Sequence, residues 1–132
     1  MNETDDEYGS LLRRVPADAI ERRTDSVKPK GLRLRTSQLE RALSFYDSSH
    51  ALPADVLVGA PRLGWGVISI EATELVALGF SLSANPDTSD VLVGRAHIDA
   101  MPPDYDEDGQ VPHDLLLKLA AAARWVIRPG GV

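Results

Sequence analysis

Residues 66–101 begin Gly66-Val-Ile-Ser-Ile-Glu-Ala-Thr-Glu-Leu-Val-Ala-Leu-Gly79-Phe-Ser-Leu-Ser-Ala-Asn85-Pro86-Asp87 and end Val91-Leu-Val-Gly-Arg95-Ala-His97-Ile-Asp99-Ala-Met101. Val67–Ile70 suits a strand. Glu71–Leu78 suits a short helix, with Ser69 or a neighbour as cap, acids in its first turn and Gly79 just past its end. Phe80, Leu82 and Ala84 alternate with Ser81 and Ser83, as in a half-buried strand. Asn85-Pro86-Asp87 is a turn, and Val91–Val93 a buried strand candidate. Strand, helix, strand, turn, strand within one block defines a folded α/β core. No recognisable catalytic signature accompanies it.

Outward from this block, Leu11–Val15 is a short apolar-basic run closed by Pro16. It suits a first edge strand anchored by Leu12 and Val15. Residues 17–23 suit a turn of helix, 24–31 a loop, and Leu32–Arg35 a half-exposed strand. Ser37-Gln-Leu-Glu40 is a capping-box pattern, and Leu39, Ala42, Leu43 and Tyr46 follow at helical spacing. The spacing predicts a helix over 38–45. A strand over Leu43–Tyr46 is its rival, since Phe and Tyr favour sheets. Pro53 and Gly59 bracket a short helix over 54–58. Residues 102–112 are loop. Pro112 and Asp114 open a last helix whose apolar face is Leu115, Leu119, Ala122, Ala123 and Val126. The expectation is a small single α+β domain, with a mixed sheet of about four or five strands and two or three helices. Residues 1–9 are read as a disordered acidic tail, 10–128 as the domain and 129–132 as a flexible C-terminus.

The chain has 132 residues and a net charge of −6, enough for one core without staples. It has no cysteine, which removes disulfides, thiolate metal sites and a cysteine nucleophile. The first residues show no signal-peptide pattern and no apolar run approaches a membrane span, so a cytoplasmic protein is expected. Charge is uneven: −4 over residues 1–12, +5 over 13–41 and −7 over 42–132. The basic third either neutralises the rest of its own chain or marks an anionic partner. It has no interleaved aromatic residue, which argues against nucleic acid.

Candidate chemistry is sparse. Asp104, Asp106 and Asp108, followed by Gly109, alternate as at the start of an EF-hand loop. Leu115 stands where that loop needs its closing Glu, Pro112 stiffens it, and Pro102-Pro103 blocks an entering helix. A solvated acidic loop is the better reading, and no metal or cofactor is expected. Around His97, strand alternation places Arg95, His97 and Asp99 on one face as a general base or anion clamp. The rival there is a histidine hydrogen-bonded at the edge of the core. Trp65, between two glycines, is either core or a partner anchor. Arg33, Arg35 and Arg41 are the accompanying basic candidates.

The Val67–Ile70, Glu74–Gly79, Asn85–Asp87 and Ala96–Ile98 segments, with the opening Leu11–Arg14 run, resemble a loose class of small uncharacterised prokaryotic proteins. The resemblance implies no activity and carries over no functional residue. Two readings follow. The first is a non-enzymatic protein-binding accessory, adaptor or immunity-type module of a prokaryotic system, its partner another protein encoded nearby. The second is a small enzyme acting on a phosphorylated or nucleotide substrate, a degenerate ADP-ribosyltransferase-like or nuclease-like domain. In it Arg13, Arg14 or Arg95 would hold phosphate, His97 would be the base, and Glu71 or Glu74 the acid. Arg14, His97 and a Glu meeting in one cleft would favour the enzyme.

Overall fold

The computed structural model of the chain describes residues 8–61 and 63–130. The strands are β1 (Ser10–Val15), β2 (Ile20–Glu21), β3 (Ser26–Val27), β4 (Leu43–Asp47), β5 (Gly66–Glu71), β6 (Ser81–Ala84), β7 (His97–Met101) and β8 (Arg124–Ile127). The α-helices are α1 (Pro53–Val58), α2 (Ala72–Ala77) and α3 (His113–Ala122). Six strands form one sheet in the order β6-β7-β4-β1-β5-β8, and β2 and β3 form a small ribbon. The domain is α+β, as expected. The sheet is larger than the expected four or five strands, and its pairings are antiparallel throughout rather than mixed.

β1 is a central strand, not an edge. It pairs with β5 from Ser10↔Glu71 to Val15↔Gly66 and with β4 on its other side. The reason lies in its two apolar faces. Leu11 and Val15 enter the main core, with Phe45, Ile68, Ile70, Leu75 and Leu119, while Leu12 enters a smaller core on the opposite face. A strand with both faces buried gains most where it has neighbours on both sides. The smaller core joins Leu12, Tyr46, Val56, Val67, Val93 and Ala96.

Several local expectations give way. Residues 38–45 are not a helix: a 3-10 turn at Thr36–Gln38 ends on Leu39 in the left-handed region (φ 57°), and β4 follows. Glu40 does not complete a capping box on Ser37. Its carboxylate reaches back to the Arg35 N–H and guanidinium, and the aromatic pair Phe45-Tyr46 takes the sheet. Residues 17–23 make a turn and β2 instead of helix. Leu32 and Leu34 are buried between exposed Arg33 and Arg35, so the alternation holds, yet no strand forms. The side chain of Gln110 takes the place of a partner strand: its Oε1 accepts from Leu34 N–H (2.6 Å) and its Nε2 donates to Leu34 O (2.9 Å).

Residues 91–93 are a turn, because Asp90 Oδ1 accepts the N–H groups of Leu92 and Val93 (both 3.1 Å) and withdraws them from any ladder. α3 buries Leu116, Leu119 and the adjoining Ala123, with Leu115 and Ala122 half-buried. The chain becomes extended at Ala123, so Val126 lies in β8 and not on the helix. Trp125, Val126 and Ile127 favour the open edge of β5 over another helical turn. α1, α2 with Gly79 (φ 95°) after it, β5 and β6 stand as read. Residues 1–7 lie outside the described residues. Tyr8 packs against the main core and Gly9 O accepts from Ala72 N–H (2.9 Å).

Candidate functional site

β1 and β4 pair only at Leu11↔Asp47 and Leu12↔Tyr46. Beyond that point Arg13 and Arg14 leave β1 in opposite directions, as strand alternation requires, and both border the same gap beside β4. Arg13 Nε donates to Gly31 O (3.0 Å) and its Nη1 to Ser44 O (3.1 Å), with the guanidinium carbon 5.9 Å from the centre of the Phe45 ring. Ser44 O is thereby satisfied without a strand partner on that side. Arg14 Nη1 donates to Val56 O (2.8 Å) and Nη2 to the Tyr46 hydroxyl (3.0 Å). The Arg14 guanidinium passes so close to Gly59 that a Cβ there would overlap it. A cleft of about 320 Å³ opens beside these groups. Arg13, Arg14, Lys30, Arg33 and Arg35 line it, together with Ser44, Tyr46, Trp65 and Pro61, and no carboxylate does.

The five cations are not equivalent. Lys30 is paired with Asp18, and Arg35 with Glu40 at 3.0 Å. Arg13, Arg14 and Arg33 have no carboxylate partner among the described residues. The acceptors of Arg13 and Arg14 are neutral carbonyls and a phenol. Burial pushes the Arg13 guanidinium down to about 10; Glu40 opposes this, and the charges of Arg35 and Arg14 reinforce it. The direction marks a guanidinium whose desolvation outweighs the attraction of Glu40.

His97 borders the same region through Ser44. Its Nδ1 lies 2.7 Å from Asn85 O and its Nε2 3.1 Å from Ser44 Oγ. A carbonyl oxygen only accepts, so Nδ1 carries a proton. In the neutral ring Nε2 then accepts from the Ser44 hydroxyl. Asp99 Oδ1 is 3.8 Å from Nε2, and its Oδ2 accepts from Asn85 Nδ2 (2.8 Å). His97 and Asp99 share a face, as alternation predicts. Arg95 does not join them, because it sits in the 3-10 turn Gly94–Ala96 before β7. The two glutamates lie elsewhere. Glu71 accepts from Ser10 Oγ (2.6 Å), and Glu74 lines a groove between α2 and α3 with Lys118. Arg14 and Ser44 therefore line one cleft, His97 reaches it only through its hydrogen bond to Ser44, and no Glu lines it.

Of the four residues expected to meet a partner, Trp65, Arg33 and Arg35 line the cleft. Trp65 is half-buried and also walls a shallow apolar groove with Leu57, Val58 and Leu63. Arg41 stands apart, its guanidinium 3.8 Å over the Tyr105 ring. The acidic loop is occupied with its own backbone: Asp106 Oδ1 accepts from the N–H groups of Asp108 (2.8 Å) and Gln110 (2.9 Å), and Asp104 Oδ1 from Tyr105 N–H (2.8 Å). Ser44 and Tyr46 were missed by the helical reading of 38–45. The strand reading puts them on one face, with Tyr46 directly opposite His97 in the β4–β7 ladder.

What the fold and cleft define is a small α+β domain with a cationic cleft on its central strand. No family model, no curated protein and no solved structure matches the chain. Among the described residues no helix is long and apolar enough to cross a membrane, and no group of three or more His, Cys, Asp or Glu side chains could hold a metal ion.

Proposed function

We propose that the chain is a non-enzymatic binding module of a prokaryotic cytoplasmic system, an accessory, adaptor or immunity-type protein, and that its cleft takes an acidic segment of another protein. The observation that carries this reading is the set of three guanidinium groups, Arg13, Arg14 and Arg33, without carboxylate partners in one cleft. A partner carboxylate there would relieve a desolvated cation and form charge-assisted hydrogen bonds. Trp65 and the adjoining Leu57, Val58 and Leu63 offer apolar contact beside the charge, the combination in which binding hot spots form.

The second reading, a small enzyme acting on a phosphorylated or nucleotide substrate, is favoured by the Ser44–His97 hydrogen bond at the cleft wall. It lacks the Glu expected as its acid, since Glu71 and Glu74 lie elsewhere and the carboxylate beside His97 is that of Asp99. One experiment separates the two. Trp65 fluorescence, read in a Trp125→Phe background, is titrated with an Asp/Glu-rich peptide at low and high salt. Saturable, salt-weakened binding that Arg33→Glu abolishes supports the module. Turnover of an aryl phosphate ester that Ser44→Ala and His97→Gln both abolish would instead establish the enzyme.

A further inference from the structure

The donors left over in the cleft define its ligand more narrowly. A guanidinium has five N–H groups. Arg13 uses one at Nε and one at Nη1, and Arg14 one at each terminal nitrogen, all on neutral acceptors. Each therefore keeps three. Arg33 is exposed and has no hydrogen-bond or ion-pair partner among the described residues. A single carboxylate carries one charge and is satisfied by one guanidinium fork. Three guanidinium groups without a carboxylate ion-pair partner among the described residues match a group with more charge and more acceptor oxygens. A phosphate monoester has a charge of about −1.5 to −2 and three strong acceptor oxygens. The cleft, at about 320 Å³, is at the lower end of pockets that hold small organic groups, roughly 300–1,000 Å³. It therefore has room for the phosphate and the atoms that carry it, with Trp65 and Pro61 as the apolar wall.

We propose that the cleft is a phosphate-monoester site, in which Arg13, Arg14 and Arg33 hold the phosphoryl group of a phosphorylated side chain on a partner protein. This rests on the module reading and narrows its acidic segment to a phosphorylated one.

The test uses calorimetry on the full chain with a phosphoserine peptide, its glutamate counterpart, inorganic phosphate and sulfate at matched ionic strength. The phosphoserine peptide is expected to bind about tenfold tighter than the glutamate peptide, in keeping with the extra charged hydrogen bonds. Inorganic phosphate should compete with it better than sulfate does. Arg33→Gln and Arg14→Gln should each weaken binding by about tenfold, and Lys118→Gln, on α3 outside the cleft, should leave it unchanged. Arg33 is exposed and unbonded, so its variant keeps the fold even if Arg14→Gln does not. Equal affinity for the two peptides would overturn the phosphate site and leave the module standing. Failure of both peptides would overturn both. Undiminished binding in Arg33→Gln, or a free mononucleotide binding more tightly than the phosphopeptide, would overturn the assignment of this cleft to a partner's phosphorylated side chain.

Discussion

Gln110→Ala should be among the most destabilising substitutions of a polar residue in this protein. Gln110 is buried, at 6% exposure, and so is Leu34, at 4%. Its amide serves both backbone groups of Leu34, and its Oε1 also accepts from Val111 N–H (3.1 Å). Truncation to Ala leaves the N–H and C=O of Leu34 buried without a partner. Each such group costs about 1–3 kcal/mol, so a loss of about 2–4 kcal/mol is expected after partial relaxation. For a domain of this size 1 kcal/mol corresponds to roughly 4 °C in Tm, hence a fall of about 8–16 °C. Urea unfolding followed by tryptophan fluorescence should show the midpoint falling with the slope unchanged. Gln110→Glu should do no better, since its carboxylate still accepts from Leu34 N–H but cannot donate to Leu34 O. Exposed Gln38→Ala is the control, expected within about 0.5 kcal/mol of wild type. A loss below about 0.5 kcal/mol for Gln110→Ala would refute the reasoning, because it would mean that the 32–35 segment finds other partners at no cost.

Leu119→Asp should abolish the folded state, since Leu119 is fully buried in the main core and an unpaired carboxylate cannot be accommodated there; a cooperative melt of that variant would contradict the packing of α3. Gly94→Ala should cost several kcal/mol, about 3 or more, because a Cβ there would overlap the Asp87 carbonyl; circular dichroism melts give the answer, and a neutral effect would show that the 87–94 loop moves freely. Deleting residues 1–9 removes the packing of Tyr8 and the Gly9 carbonyl bonded to Ala72, so a loss of about 1–2 kcal/mol is expected where the acidic residues alone would contribute nothing; an unchanged melt would discount both contacts. Calcium at millimolar concentration should leave Tm unchanged, because Asp106 already accepts two backbone N–H groups and the loop offers too few oxygens for that ion; a calcium-dependent rise lost in Asp106→Asn with Asp108→Asn would overturn this.

The sequence by itself determined the fold class and the elements whose signals are local. α1 lies between Pro53 and Gly59, α2 ends before Gly79, and β5 and β6 follow their apolar patterns. These depend on backbone preferences and on a period read within a few residues. Where two local patterns competed, only tertiary structure decided. Residues 38–46 carry a helical spacing and a pair of sheet-favouring aromatics; the ladder from β4 to β7 and the burial of Phe45 settle it as strand. Leu32–Arg35 alternates like a strand, but its hydrogen bonds go to the side chain of Gln110, 76 residues away from Leu34, which no window along the chain can see. The cleft was legible in part. Arg33, Arg35 and Trp65 stood out as a charged segment and an odd aromatic. The basic segment has no aromatic residue of its own, yet Tyr46 and Trp65 stand beside it in space, because Tyr46 lies on β4 beside β1 and Trp65 immediately precedes β5, whose Gly66 pairs with Val15. Which cations keep a carboxylate partner, and which do not, depends on distances between side chains far apart in sequence. Charge composition counts these groups, and only the fold pairs them.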